Sequence, residues 1–309
     1  MDNYPKNMTQ MEKLFATQEA CLKYLYELRW PSGYTCPTCG ADKGWTMGNG
    51  LILCTQCRHQ QSVMAGTVFQ DTHLSLPVWF RAMWNICANK NGISALNLMR
   101  LAGLGSYNTA WLCLHKLRRA MIRPGRERLS GIVEADEAYI GGEYEGKRGR
   151  GAFGKKIVFV AAEVRGHKIG RIRLAVIPSV SGENLLAAIS QSVEEGATIR
   201  TDGWTSYNGL RDAGYGHEIA VKNAEELSEV LLPKCHLVVS LLKRWILGTL
   251  QGNAGADHLQ DYLNEFTFRF NRRSSGSRGL LFHRLAQMAV VTAPNTRAKI
   301  VGPQDVVAG

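Results

Sequence analysis

At 309 residues the chain is longer than one compact domain usually needs, so two or three units are expected. Apolar residues make up 45% and charged residues 20%, which excludes global disorder, and no run approaches 18 uninterrupted apolar residues, which excludes a membrane-spanning helix. Bases outnumber acids 37 to 26, a formal net charge of +11 that favours a polyanionic partner, nucleic acid first among them.

The opening MDNYPKNMTQMEKLF mixes acids with bases and has no apolar h-region, so no secretory signal is read and a cytoplasmic location is expected. Of eight cysteines, Cys21, Cys87, Cys113 and Cys235 are scattered in apolar surroundings and read as small core residues. The other four form two tight pairs, Cys36-Pro-Thr-Cys39 and Cys54-Thr-Gln-Cys57, with fourteen residues between them. Each CxxC bends the backbone so that two thiolates converge on one ion, and two such knuckles complete a tetrahedral sulfur site. Gly40, Gly48 and Gly50 supply turns, while 44–47 and 51–54 read as short strands. A ribbon this small depends on its metal for folding free energy, and four thiolates leave no open position for catalysis, so a structural zinc is predicted. Lys43, Arg58 and His59 lie close enough in sequence for the ribbon to meet DNA.

From Leu76 to about Met121 the apolar period becomes helical. Val78, Phe80, Met83, Trp84 and Cys87 line one helix with Pro77 in its first turn, and Ser94 caps a second that stops at Gly103-Leu-Gly105. Ser106 then opens a third, Tyr107 to about Ala120, so the last two have the form of a helix-turn-helix. Tyr107, Asn108 and Thr109 stand at the N-terminus of its second helix, where base edges are met, with Lys116, Arg118 and Arg119 near its end.

Beyond Pro124-Gly125 the period becomes that of strands: 131–140, 156–163 and 170–177, then a helix from Ser181 to about Val193, then a short strand ending at Asp202. Three strands, a helix and a strand with an acid at its end is the running order of a ribonuclease-H-like α/β fold. That fold builds its metal site from a carboxylate in the first strand and another just after the fourth, the places of Asp136 and Asp202. Phosphoryl transfer on DNA uses paired divalent ions, and carboxylate oxygens suit Mg²⁺ or Mn²⁺. An acid beside apolar strand residues is costly unless used. Glu134, on the same face of its strand as Asp136, is a candidate supporting group.

These segments together resemble bacterial insertion-sequence transposases of the DDE class that join an N-terminal zinc ribbon to a ribonuclease-H-like core. The matching residues are the two CxxC pairs, Thr67-Val-Phe-Gln-Asp-Thr, Val133-Glu-Ala-Asp136-Glu-Ala-Tyr-Ile-Gly-Gly142, and Thr201-Asp202-Gly-Trp204 with Tyr207. Ser240-Leu-Leu-Lys243-Arg-Trp with Gly248-Thr, and 262–273, complete the series, which covers about residues 15 to 285. The resemblance implies metal-dependent cutting at element ends, followed by attack of the freed 3′-hydroxyl on target DNA. It assigns the first two catalytic aspartates to Asp136 and Asp202.

At the third acidic position, seven residues before the family's lysine, this chain departs and has His236. Three readings stay open: a metal ligand that suits Mn²⁺ better than Mg²⁺, a proton shuttle near neutral pH, or the mark of a degenerate copy. A role as ligand or acid/base is favoured. Glu225, Glu226 and Glu229 precede Pro233 and fall off the expected helix. Lys243 lies two turns beyond His236 on the same helix face, where an ammonium holds a scissile or adjacent phosphate.

Residues 143–156, rich in glycine and carrying Lys147, Arg148, Arg150, Lys155 and Lys156, read as a loop able to grip phosphates. Arg269, Arg272, Arg273 and Arg278 are expected to face DNA or a partner subunit. The expected organisation is an N-terminal helix and zinc ribbon (1–70), a helix-turn-helix-like DNA-binding segment (71–125), a ribonuclease-H-like catalytic domain (126–290) and a loosely ordered tail (291–309). The expected function is a transposase acting on double-stranded DNA as a homodimer or larger assembly, with structural zinc, catalytic magnesium or manganese, and no membrane partner. The rivals are a zinc-ribbon DNA-binding protein with a degenerate core and a metal-dependent nuclease without joining.

Overall fold

The computed structural model describes residues 4–123, 125–141, 155–220, 231–252 and 255–302. The basic loop with Lys147, Arg148 and Arg150, and the acids Glu225, Glu226 and Glu229, fall outside them. The elements in chain order are α1 (Met8–Leu14), α2 (Gln18–Arg29), β1 (Gly44–Thr46), β2 (Ile52–Cys54), β3 (Gln60–Gln61), α3 (Leu76–Ala88), α4 (Ala95–Leu101) and α5 (Tyr107–Ala120). Then follow β4 (Ile132–Ile140), β5 (Lys156–Arg165), β6 (Lys168–Ile177), α6 (Gly182–Ser192), β7 (Thr198–Thr201), β8 (Gly216–Ile219), α7 (Pro233–Leu250), α8 (Leu259–Phe270), α9 (Arg278–Val291) and α10 (Arg297–Val301). No helix among the described residues is long and apolar enough to cross a membrane. The chain is mixed α and β, and it divides into two units.

The described residues of Met1–Arg123 and Ser275–Pro303 form the first unit. Its helices begin on side-chain caps: Thr17 Oγ1 accepts the Ala20 amide at 3.2 Å, Ser94 Oγ that of Asn97 at 3.2 Å, and Ser277 Oγ that of Leu280 at 3.3 Å. At Ser106 the backbone is extended as a cap should be, but the hydroxyl makes no capping bond. The apolar stripe of α3, with Trp79, Phe80 and Met83 at 1% exposure or less, packs against α2 and α9. Phe80 meets Phe15 at 4.7 Å and Phe282 at 5.5 Å between ring centres, and Tyr24 Oη bonds His283 Nδ1 at 2.7 Å. Each such ring pair adds about 1 kcal/mol to the area it buries. The sequence reading runs the core domain to residue 290, whereas α9 packs here, with the N-terminal helices. Residues 297–301, in the stretch expected to be loosely ordered, form α10 and bury Ile300 completely.

The described residues of Pro124–Ser274 form the second unit around a five-stranded sheet in the order β6-β5-β4-β7-β8. The pairs β4–β5 and β5–β6 are antiparallel, and β4–β7 and β7–β8 are parallel. Alternation along β4 splits its side chains between two cores. Val133 and Ala135 join Leu185 and Ile189 of α6 on one face, while Ala138 and Ile140 join Val238, Leu242 and Tyr262 of α7 and α8 on the other. Strand β5 is buried on both faces, from Val158 to Ala162, which is why it reads as a continuous apolar run. Strand β8 was not anticipated: Gly-His-Glu-Ile has neither an apolar run nor a clean alternation.

Candidate functional site

The zinc ribbon is built from β1, β2 and β3. The hairpin pairs Trp45 with Leu53, and each knuckle closes the same way: the Gly40 amide donates to Cys36 O at 2.9 Å and the Arg58 amide to Cys54 O at 3.1 Å. Both closing residues have positive φ, 75° and 62°, which is easy for glycine and strained for arginine. The turns bring Cys36 Sγ to 3.6 Å from Cys57 Sγ and Cys39 Sγ to 3.6 Å from Cys54 Sγ, with all four sulfurs within 4.8 Å of one another. Tetrahedral zinc with bonds of about 2.3 Å needs sulfurs about 3.8 Å apart, so the donor set and its spacing fit a structural zinc. Burial opposes ionisation of Cys36, yet the amides of Cys39 and Thr38 outweigh it and bring the thiol down to about 6, towards the thiolate a metal requires.

Three acids of the second unit, Glu134, Asp136 and Asp202, lie on or just after the parallel pair β4–β7. The register keeps a constant interval of 66 residues, Ile132 with Thr198 and Glu134 with Arg200, the same interval that separates Asp136 from Asp202. Asp136 continues β4 two residues past the last ladder pair, and Asp202 follows directly on the end of β7. Asp202 is exposed and its Oδ1 accepts the Trp204 amide at 3.0 Å, across a turn at Gly203 with φ +81°. A Cβ at 203 would come within 2.7 Å of Ile219 Cγ2, so this turn requires glycine. The Asp136 side chain is 18% exposed and its Oδ1 accepts the Glu137 amide at 2.8 Å.

Helix α7 brings the third predicted residue to this place. His236 Nε2 is 3.4 Å from Asp136 Oδ2, with the imidazole 56% exposed. Glu134 fixes where α7 starts. Its buried carboxylate accepts the amides of Lys234 at 2.7 Å and Cys235 at 3.1 Å, two of the donors that a helix N-terminus leaves without partners. The Cys235 thiol, pushed far up by burial and then by Asp136 and Glu134, reaches Glu134 O at 3.3 Å. Lys243 is exposed on the same helix.

On the other face of β4, Tyr207 Oη donates to Glu137 Oε2 at 3.0 Å, and burial followed by that carboxylate pushes the phenol far above its usual range. This bond ties the segment after Asp202 to the strand of Asp136. Thr201 Oγ1 accepts the Gly203 amide and meets His217 Nε2 at 2.9 Å. Glu137, Tyr207 and His217 were missed as supports because each works through a partner 16 to 70 residues away.

The residues expected to meet DNA fare unequally. Tyr107 is 50% exposed and Asn108 is exposed at the start of α5. Lys116 is half-buried, its amine pushed down by burial and partly restored by Cys113 and Asp71. Arg118 is a correction: at 2% exposure it is buried and leaves the DNA-facing set. Arg119 Nη1 donates to Asn295 Oδ1 at 3.3 Å and Lys299 O at 3.1 Å. Arg272 stacks on Phe268 at 4.0 Å and donates to its carbonyl, while Arg273 stacks on Phe270 at 4.0 Å and donates to the carbonyls of Gly170, Phe270 and Ile169. These two guanidinium groups bind the chain's own carbonyls and aromatic faces.

Two family models match parts of the chain. Residues 16–60 match the model of a transposase zinc-ribbon domain and residues 128–271 that of an ISXO2-like transposase domain. The chain is also 28% identical over 279 residues, 83% of its length and 92% of the relative's, to an uncharacterized protein in transposable element ISH50 of Halobacterium salinarum. These two domain matches, each over part of the chain, support a transposase function.

Proposed function

We propose that the second unit is a ribonuclease-H-like core that cuts element ends and joins them to target DNA, using divalent ions held by Asp136, Asp202 and His236. The observation that carries this reading is His236 Nε2 lying 3.4 Å from Asp136 Oδ2, with Asp202 directly after the end of β7, the strand that pairs in parallel with β4. The strand order β6-β5-β4-β7-β8, antiparallel on one side and parallel on the other, supports the fold assignment. The donor set fits Mg²⁺ or Mn²⁺: hard carboxylate oxygens with solvent access, and an imidazole that favours manganese. Ions bound there would activate an attacking oxygen and stabilise the leaving one.

The chain's own residues then have separate tasks. Asp136 and Asp202 orient their carboxylates from β4 and the end of β7. His236 offers an imidazole nitrogen as third ligand or as proton acceptor beside Asp136. Lys243, two turns along α7, holds a phosphate of the bound strand. In the first unit, α4 and α5 act as a helix-turn-helix, with Tyr107 and Asn108 reading base edges, and the ribbon adds a second contact to the element end. Two ends must be processed together, so the assembly on DNA is a dimer or larger, working in the cytoplasm on the nucleoid.

The test is to incubate the protein with duplexes from the DNA flanking its gene and with Mg²⁺ or Mn²⁺. Asp136→Ala and Asp202→Ala are expected to lose several kcal/mol of catalysis, on the order of 10³-fold in cleavage and joining, while still binding DNA. Cleavage without joining would make the protein a nuclease, and binding without either would leave an end-binding protein. His236→Glu separates the readings of the histidine. A collapse of activity indicates an adapted site, and a large gain a degraded one.

A further inference from the structure

The last described segment of the first unit runs alongside α5. Residues 292–302 contain no acid and two bases, and the segment is anchored by Ile300, which is fully buried. Thr296 Oγ1 accepts the Lys299 amide at 3.3 Å and starts α10. Asn295 and the Lys299 carbonyl hold Arg119 of α5.

On either side of this attachment lies a cleft shared by the two helices. One, of about 240 Å³, is lined by Tyr107, Asn108 and Trp111 of α5 with Arg297 and Val301 of α10. The other, of about 360 Å³, places Thr109 and Lys116 opposite Asn295 and Arg297. Asp71 also lines the second cleft, so an acid shares that cleft with Lys116. Arg297 and Lys299 are exposed and have no acidic partner among the described residues.

We propose that α10 is the second half of the DNA-binding surface of α5, with Arg297 and Lys299 contacting the phosphates that flank the bases met by Tyr107 and Asn108. The partner is double-stranded DNA. Of the bases expected on α5, Arg118 is buried, Arg119 holds the segment 295–299, and Lys116 is half-buried in a cleft it shares with Asp71. The phosphate contacts that position a helix on a duplex are then supplied by the helix docked beside it. The inference rests on α5 being a recognition helix, and the experiment separates the two.

Affinity for a fluorescent duplex from the flanking DNA is measured between about 50 and 200 mM salt for the full chain and for two double variants, Arg297→Ala/Lys299→Ala and Tyr107→Ala/Asn108→Ala. All four side chains are exposed, and equal thermal midpoints establish that each variant is folded. Loss of two phosphate contacts is expected to weaken binding and to make the plot of log affinity against log salt shallower by about 1.8. The Tyr107/Asn108 variant is expected to lose sequence preference at an unchanged slope. An unchanged slope in the Arg297/Lys299 variant, with preference lost in the other, would overturn the role of α10 and leave α5 standing. No effect in either would remove α5 as the reading helix and the inference with it. Tighter binding without Arg297 and Lys299 would mean that α10 covers the surface, which also overturns the proposal.

Discussion

Glu134 shows how a residue two positions from a proposed ligand shapes the site without touching it. Its carboxylate receives two amides from the first turn of α7, and α7 carries His236 to Asp136. Removing it in Glu134→Ala leaves two buried donors without an acceptor and is expected to lower stability by about 3 kcal/mol, read by denaturant melts. Glu134→Gln keeps an oxygen but loses the charge that suits a helix N-terminus. That variant is expected to melt about 1 kcal/mol lower, to bind DNA normally, and to join strands about tenfold more slowly as α7 relaxes. Unchanged joining rates in a folded Glu134→Gln protein would show that the cap supports the fold alone. The sequence exposed Glu134 as a face-mate of Asp136 by simple alternation. Its partners, 100 and 101 residues away, were not legible, because capping is a relation in space.

Among elements, the ribbon and the sheet draw their stability from different sources. Strands of three, three and two residues cannot hold the ribbon, so its four thiolates and their metal must. Cys54→Ser is expected to bring bound zinc from about one per chain to near none, and to open Lys43 and Arg58 to trypsin, with both read on one sample. Retained zinc or continued protection would contradict a structural role. In the sheet, β5 breaks register between Ala162 and Val164, where Glu163 sits buried. Burial opposes its charge, but the Arg171 side chain and amide prevail and hold the carboxyl below its ordinary value. A depressed carboxyl adds stability above its unfolded pKa of about 4.3, and that stability fades as pH falls through the folded value. Thermal midpoints are therefore expected to drop below about pH 4, and Glu163→Gln to melt lower at neutral pH with a flatter acid limb. An unaltered limb would assign the acid sensitivity elsewhere. The strands β4 to β7 and helices α3 to α6 were legible because period 2 and period 3.6 separate cleanly there. Strand β8 was not, since four residues with one apolar side chain carry no period.

Across the whole molecule, the least legible feature is the chain's return: α9 and α10 follow the second unit in sequence and pack in the first. An amphipathic stripe such as 278–291 declares that it will be buried but not against which partner, and Phe282 finds Phe15, Tyr24 and Phe80. The CxxC pairs were legible because metal chemistry restricts residue type and spacing. The phosphate-facing arginines were less so, because Arg118, Arg272 and Arg273 look the same in sequence whether they meet a nucleic acid or the protein's own carbonyls and rings. The proposed site requires Asp136 and Asp202, 66 positions apart, to take hold of the same ions. Crystals soaked in manganese, with anomalous scattering collected at its absorption edge, answer that directly. The expected result is a peak within about 2.2 Å of carboxylate oxygens from both Asp136 and Asp202; no peak there, or manganese bound by neither aspartate, would contradict it.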